Sequence, residues 1–494
     1  MSGYDKLIRN VRLVRPNRSR VEEADLAIRD GRFVAVAPRL ASGDGTEEID
    51  ARGLMAFPGL VDAHMHIGIY QELSRDAVSE SRAAAMGGVT TSLNYIRTGQ
   101  YYLNRGGSYR EFFPEVLRRS AGNFHVDYAY HVAPMSGAHI DELELLADEF
   151  GVCSFKIFMF YGGYGLHGRS DSQREFLMIG EDESYDLAHF EFVMRGVQRL
   201  VAERPALRQA VSLSLHCELA EIMSAYTRLV ERRGELQGLE AYSAARPPHS
   251  EGLAIWIASY LANETECPRI NLLHLSSRKA VEAALTMQRV FPHIDFGREV
   301  TVGHLLLDIH TPAGPRAKVN PPIRPREDVE FLWRALLDGK IDWVVSDHAC
   351  CAAEQKVDGE SPDDIFLAKS GFGGTEYLLS GLFSEGRKRG LSPNRVAELV
   401  CWNPAQRFGL YGKGDVAPGF DADLVLFDPE ERFTVQAAES ESSQGYTPFE
   451  GLELGGRVQT TFLRGERIYD RGRILGERRG RYLERPYDGS GEGD

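Results

Sequence analysis

Four histidines, one lysine and one aspartate carry the chemistry that this sequence is equipped to do. His64 and His66 close the run FPGLVDAHMH. Alternation along a strand points both imidazoles to the same side, where they can share one metal ion. Lys156 stands inside SFKIFMFY, flanked by Phe155, Ile157 and Phe158. An ammonium in such a run is costly unless it is paired, modified or deprotonated. His216 ends the apolar part of AVSLSLHCE, His274 that of RINLLHLSS, and Asp347 that of IDWVVSDHA. Each residue taken singly has a plainer explanation. A histidine in an apolar run can be a hydrogen-bonded core residue, Lys156 can reach the rim with its ammonium, and Asp347 can cap the following helix. All six at the ends of apolar runs form a set, and that set points to a metal centre able to activate water for hydrolysis.

The elements that must position these residues are legible as eight short apolar runs. They are MAFPGLVDAHMH, VTTSLNYI, HVDYAYHVAP, CSFKIFMFY, AVSLSLHCE, RINLLHLSS, EVTVGHLLL and IDWVVSDHA. Most are followed by helical periodicity, as in residues 186–203 and 279–290. Alternating β and α segments predict an α/β fold, a parallel (β/α)₈ TIM barrel, which places catalytic groups at the carboxyl ends of its strands. Residues 1–55 instead alternate in short runs, with Asp30-Gly31 as a hairpin signal, and alternation returns after residue 415. Neither segment can bury a face alone, so the two are expected to combine into one small β-sandwich domain. The predicted division is 1–55 and 415–480 for the sandwich and 56–414 for the barrel. Residues 481–494 form a tail whose last ten residues have a disordered composition.

Bulk properties narrow the function classes. The 494-residue chain has a formal net charge of −15, with 43% hydrophobic and 26% charged residues. Acidity of that size argues against a nucleic-acid partner. The start of the chain lacks the apolar core of a signal peptide, and no stretch is long and apolar enough to span a bilayer. The six cysteines are scattered without a CxxC pair, and the adjacent Cys350 and Cys351 are read as free thiols. A cytoplasmic location is expected.

FPGLVDAHMH, SFKIFMFY, HCE, LLHLSS and VSDHA resemble the motifs of the dihydropyrimidinase/hydantoinase branch of the amidohydrolase superfamily, as do CWNPAQRFGLY, GFDADLVLFDP and GYTPFEG further on. The resemblance spans nearly the whole chain. It implies two divalent ions, usually zinc, one held by His64, His66 and Asp347 and the other by His216 and His274. Lys156, carboxylated by CO₂, would bridge them. That modification turns a buried cation into an anionic two-oxygen ligand for two cations. Asp347 would act as general base and then acid. Tyr161, five residues after Lys156, matches the tyrosine whose phenol donates to the developing oxyanion in this family. The substrate implied is a cyclic amide, imide or ureide, and lookalikes are commonly homo-tetramers, with a dimer as the alternative.

Three stretches differ from the pattern. Gly68 stands where dihydroorotases carry a carboxylate-binding arginine. Asn320 stands where hydantoinases typically have serine, and Ser370 occupies a position usually held by asparagine. Both are expected to meet the ring through backbone groups. The run after Lys156 is long, and residues 162–185 are predicted to form a lid over the active site. His125, His131, His304 and His348 are assigned to packing or hydrogen bonding, and His167, His189 and His249 to surface or loop positions. Rival readings keep the same site for allantoin, a cyclic imide, a lactam, or an acyclic amide or carbamate. A further rival is a non-catalytic scaffold of the collapsin response mediator type, which lacks metal ligands that this chain retains.

Overall fold

The computed structural model describes residues 3–162, 173–357 and 359–489. Seven of the eight apolar runs contain a strand and the seventh in order, EVTVGHLLL, overlaps the end of one: Leu60–Met65, Val89–Ile96, Asp127–Val132, Ser154–Phe158, Ser212–His216, Arg269–Leu272, Asp295–Thr301 and Trp343–Val345. They pair in chain order, every neighbour parallel. The ring closes between the first and last strands through a parallel bridge from Met65 to His348, where the His66 N–H donates to the His348 carbonyl at 2.7 Å. Every residue of most of these strands is buried, and the side chains are apolar or small and polar, as in SLSLH and VTTSLNYI, because both faces of a barrel strand are covered. His304, expected in the seventh strand, lies instead in the short helix Val302–Leu306 that follows it.

The covering helices show why their sequences fold as they do. Leu187–Glu203 buries Phe190, Val193, Met194, Val197, Leu200 and Val201, a stripe at helical spacing. The Asp186 carboxylate caps its first turn by accepting from the Ala188 and His189 N–H groups at 3.0 and 3.2 Å. Arg278–Val290 is capped in the same way by Ser277. Among the described residues no helix is long and apolar enough to cross a membrane, and all six cysteines are buried and unpaired.

The terminal segments join in one nine-stranded mixed sheet. Asp30 and Gly31, at φ 49° and 72°, form the two-residue turn between Glu22–Arg29 and Arg32–Ala37. Positive φ at both positions is the hairpin geometry that Asp-Gly favours. Met55–Pro58, which straddles the predicted boundary at residue 55, runs parallel to Lys6–Leu13 and antiparallel to Leu424–Thr434. At the amino-terminal end of the barrel, Lys413 Nζ lies 2.7–2.8 Å from carboxylates of Asp127, Asp421 and Asp423, all buried. Arg464 joins the same cluster through Asp127.

The predicted tail needs correction. Residues 481–489 pack against the base of the barrel: Tyr482 bridges Tyr128 and donates to the Phe150 carbonyl at 2.6 Å. The buried Arg485 guanidinium donates to Ser154 Oγ at 2.7 Å. The glycine-rich composition masked these anchors, which satisfy polar groups at the strand ends.

Candidate active site

The carboxyl ends of the barrel strands bring the six candidate ligands together. His66, Lys156, His216, His274 and Asp347 line one cleft with Asn320 and Ser370. His64 lies just beneath it, its Nε2 3.1 Å from both Lys156 Nζ and Asp347 Oδ1. His66 Nε2 is 3.3 Å from the same aspartate oxygen. The His216 and His274 rings stand 4.3 Å apart, and His274 lies 5.5 Å from His64. His274 and Asp347 both hold positive φ, 36° and 55°. Left-handed backbone at non-glycine residues costs about 1–3 kcal/mol each and persists where the surroundings over-determine it.

The sequence reasoning missed the residues that orient these ligands. Glu299 accepts from His64 Nδ1 at 2.8 Å, from the Trp343 indole at 2.9 Å and from the His274 N–H at 3.1 Å. Tyr102 meets His66 Nδ1 at 2.8 Å. Glu218 meets His216 Nε2 at 2.7 Å and is itself held by Arg246 at 2.7 Å. Three imidazoles are thus anchored by one nitrogen and keep the other for the centre, while buried His274 Nδ1 has no hydrogen-bond partner. This is how histidine ligands are oriented in metal sites. The signal existed for Glu299 and Glu218, each a charged residue in or beside an apolar strand run, as Lys156 is.

Electrostatics favour ligation. Burial, with the nearby Lys156 charge next, holds His64 and His66 well below the usual imidazole range. Burial and then the His216 charge do the same to His274. Neutral imidazoles are the metal-binding form. Lys156 lies over the Tyr95 and Phe158 rings at 3.8 and 4.3 Å. Burial lowers its amine to about 7, against the pull of Asp347 and Glu299. Burial raises the Glu299 carboxyl to about 8, opposed by the Trp343 donor. The donor set, with an orphaned nitrogen and an amine easily rendered neutral, fits a divalent-metal centre.

The remaining predicted residues divide. Asn320 Oδ1 accepts from Tyr242 at 2.5 Å and from Ser370 Oγ at 3.3 Å, so these two lie side by side in the cleft. Tyr161 does not line it. Its ring stacks on Phe158 at 4.7 Å, meets Phe176 at 5.1 Å and receives the Arg97 guanidinium at 5.2 Å. Of the predicted lid, residues 163–172 and His167 lie outside the described residues; Phe176 and Tyr185 pack beneath the mouth, where Tyr185 Oη accepts from the Phe158 N–H at 3.0 Å. Gly68, at φ 82°, donates its N–H to Asp76 at 2.6 Å, and a Cβ there would meet Leu73 at 2.9 Å. No arginine fits this position. His131 bonds Ala63 and Ser154, His304 bonds the Pro321 carbonyl and His348 bonds Glu80, each a satisfied interior histidine. His189 is a correction: it is buried and bonds the Pro134 carbonyl at 2.9 Å, because it faces inward from the first turn of its helix.

A closed (β/α)₈ barrel with this ligand set at its mouth and a β-domain built from both termini defines a hydrolase of the amidohydrolase type. The amidohydrolase family model matches residues 260–468. The chain is 33% identical to an allantoinase of Rubrobacter xylanophilus over the full length of both, and 31% identical to an allantoinase of Escherichia coli, covering 95% of this chain and 96% of that one. Among solved structures, a dihydropyrimidinase from Brevibacillus agri aligns with a TM-score of 0.83 at 25% identity, covering 97% and 98% of the two chains. An L-hydantoinase from Arthrobacter aurescens aligns with a TM-score of 0.83 at 26% identity, covering 97% and 99%. The chain belongs to the amidohydrolase family and is an enzyme of its cyclic-amide-hydrolysing branch.

Proposed function

We propose that the chain opens a five-membered cyclic ureide, a hydantoin core, by hydrolysing a ring amide C–N bond, with allantoin as the first candidate. The observation that carries the hydrolysis is the convergence of His64, His66, Lys156, His216, His274 and Asp347 on one point at the barrel mouth. The full-length similarity to proteins named allantoinase favours the ureide ring, and the solved hydantoinases favour the same core.

His64, His66 and Asp347 would hold one divalent cation, zinc first, and His216 and His274 a second; bound there, they would supply Lewis-acid activation of water and of the ring carbonyl. Neutral Lys156 would add to CO₂ through its nitrogen lone pair, forming the N–C bond and releasing a proton, and the resulting carbamate would offer anionic oxygen ligands. Asp347 is the one carboxylate among the described residues lining the cleft. It takes the proton from the attacking water and passes it to the departing ring nitrogen. Backbone groups at Asn320 and Ser370 hold the ring's amide edge. The oxyanion role expected of Tyr161 requires its phenol to leave the Phe158–Arg97 stack. A homo-oligomer is supported by an apolar stripe on Pro248–Glu264, where Leu253, Trp256 and Tyr260 are 47%, 50% and 57% exposed.

The test is turnover by the metal-loaded enzyme on hydantoin, allantoin, dihydrouracil, succinimide and simple lactams, with metal analysis of the same sample. Ring opening of allantoin or hydantoin with about two metals per chain is expected. Preferred opening of dihydrouracil would move the reading to six-membered rings, and absence of both metal and turnover would overturn it.

A further inference from the structure

The cleft has a wall that none of the sequence motifs singled out. Tyr70 follows the Gly68 turn by two residues and lines the cleft with His66, Asn320, Asp347 and Ser370. Its phenol donates to the Ser370 carbonyl. Its ring stands edge-on to Tyr101 at 5.9 Å, and the Lys369 ammonium lies 5.6 Å from its centre. Behind this wall lies a second, open pocket of about 640 Å³. The two spaces share Ile69 and Tyr70. The outer one is otherwise lined by the Gln100 and Asn104 amides, by Glu72 and Arg119, which pair with each other at 2.8 Å, and by apolar Leu73, Leu103 and Met178.

Two physical consequences follow. The Ser370 carbonyl is an acceptor that a ring N–H in the cleft would use, and the Tyr70 phenol already occupies it. A ligand must therefore compete with that hydrogen bond, whose removal is worth about 3- to 10-fold in affinity. The outer pocket offers the Gln100 and Asn104 amides, which both donate and accept, whereas the Arg119 guanidinium is taken up by Glu72 and Glu115. Those two amides complement a urea-like or carboxamide group.

We propose that Tyr70 is a specificity-determining residue. Its phenol holds the Ser370 carbonyl until a substrate N–H replaces it, and its displacement joins the cleft to the outer pocket, which receives a urea-like or carboxamide substituent on the ring. This rests on the cyclic-ureide reading above.

The experiment compares wild type, Tyr70→Phe and Gln100→Leu, each metal-loaded, on hydantoin, 5-ureidohydantoin and 5-isobutylhydantoin. Tyr70→Phe is expected to lower KM about 3- to 10-fold on every ring that is opened, with kcat little changed. Gln100→Leu is expected to raise the KM for 5-ureidohydantoin relative to that for hydantoin, by about 3- to 10-fold, and to spare the isobutyl ring. A Tyr70→Phe enzyme with unchanged or raised KM, or with kcat reduced, would overturn the competition at Ser370. Equal effects of Gln100→Leu on all rings, or none, would overturn the outer pocket. Wild type that opens hydantoin while both variants match it sinks this proposal alone; wild type that opens no ring sinks the functional reading and this proposal with it.

Discussion

The two ends of the barrel bury charge in opposite ways. At the amino-terminal end, Lys413 is surrounded by Asp127, Asp421 and Asp423 at hydrogen-bond distance, with Arg464 closing the cluster. Burial alone would strip the Lys413 proton, yet the three carboxylates hold its ammonium well above the ordinary lysine range. At the carboxyl-terminal end, Lys156 is drawn by Asp347 and Glu299 but sits among four imidazoles and aromatic faces, and burial there wins, bringing it to about 7. Two lysines in one barrel therefore have opposite fates. The one at the base has its charge fully compensated and serves structure. The one at the mouth is left short of anions, so it favours the neutral amine and is open to chemistry.

That contrast can be broken most severely at the mouth. Asp347→Asn removes the proposed proton carrier and should lower kcat about 10²- to 10⁴-fold, read from initial rates at saturating substrate with the fold unchanged by circular dichroism. At the base, Lys413→Met leaves Asp421 and Asp423 without their cation and Asp127 with Arg464 alone. It should cost about 3–5 kcal/mol of stability in denaturant titration, while kcat per folded molecule stays as in wild type. A kcat loss without destabilisation would contradict the division of labour.

Smaller effects sharpen it. Glu299→Gln keeps the shape but weakens the grip on His64, and should weaken metal binding about 10- to 100-fold by competition with a chelator. For Lys156 the sign follows from the lowered pKa: the neutral amine, the form proposed to capture CO₂, becomes the majority form above about pH 7 instead of near 10.5. At constant dissolved CO₂ and metal, recovery of activity by the metal-stripped enzyme should therefore rise through about pH 7 and level off above it. Recovery that keeps climbing to pH 10 would mean that the amine is not perturbed. Tyr161→Phe should lower kcat about 10-fold or more at unchanged metal content if its phenol reaches the oxyanion.

What the sequence disclosed, and what it hid, follows the range of the interactions involved. The barrel strands were legible because burial on both faces demands runs of apolar or small residues, and a Lys or His inside such a run stands out. The Asp30-Gly31 turn was legible because its backbone geometry is local. The pairing of the orienting groups was not, because Glu299 and Tyr102 reach His64 and His66, and Arg246 reaches Glu218, between segments that only the folded barrel brings together. His189 was misjudged because one polar residue on a helix gives no clue to which side it faces, and residues 481–489 because glycine-rich composition concealed Tyr482 and Arg485. Tyr70 escaped notice because a tyrosine just past a glycine turn has no pattern of its own.

The closure of the ring between Met65 and His348 also has a consequence for how the enzyme comes into being. His64 and His66 leave the ribosome early and Asp347 late, and Ser346 and Asp62 stitch their strands together only when both are present. Strand Met55–Pro58 must wait longer still for Leu424–Thr434. A nascent or truncated chain thus holds most of the imidazoles and the lysine, yet it cannot complete the proposed cation site. On that assignment, a folding intermediate with the ends apart would be hydrolytically silent.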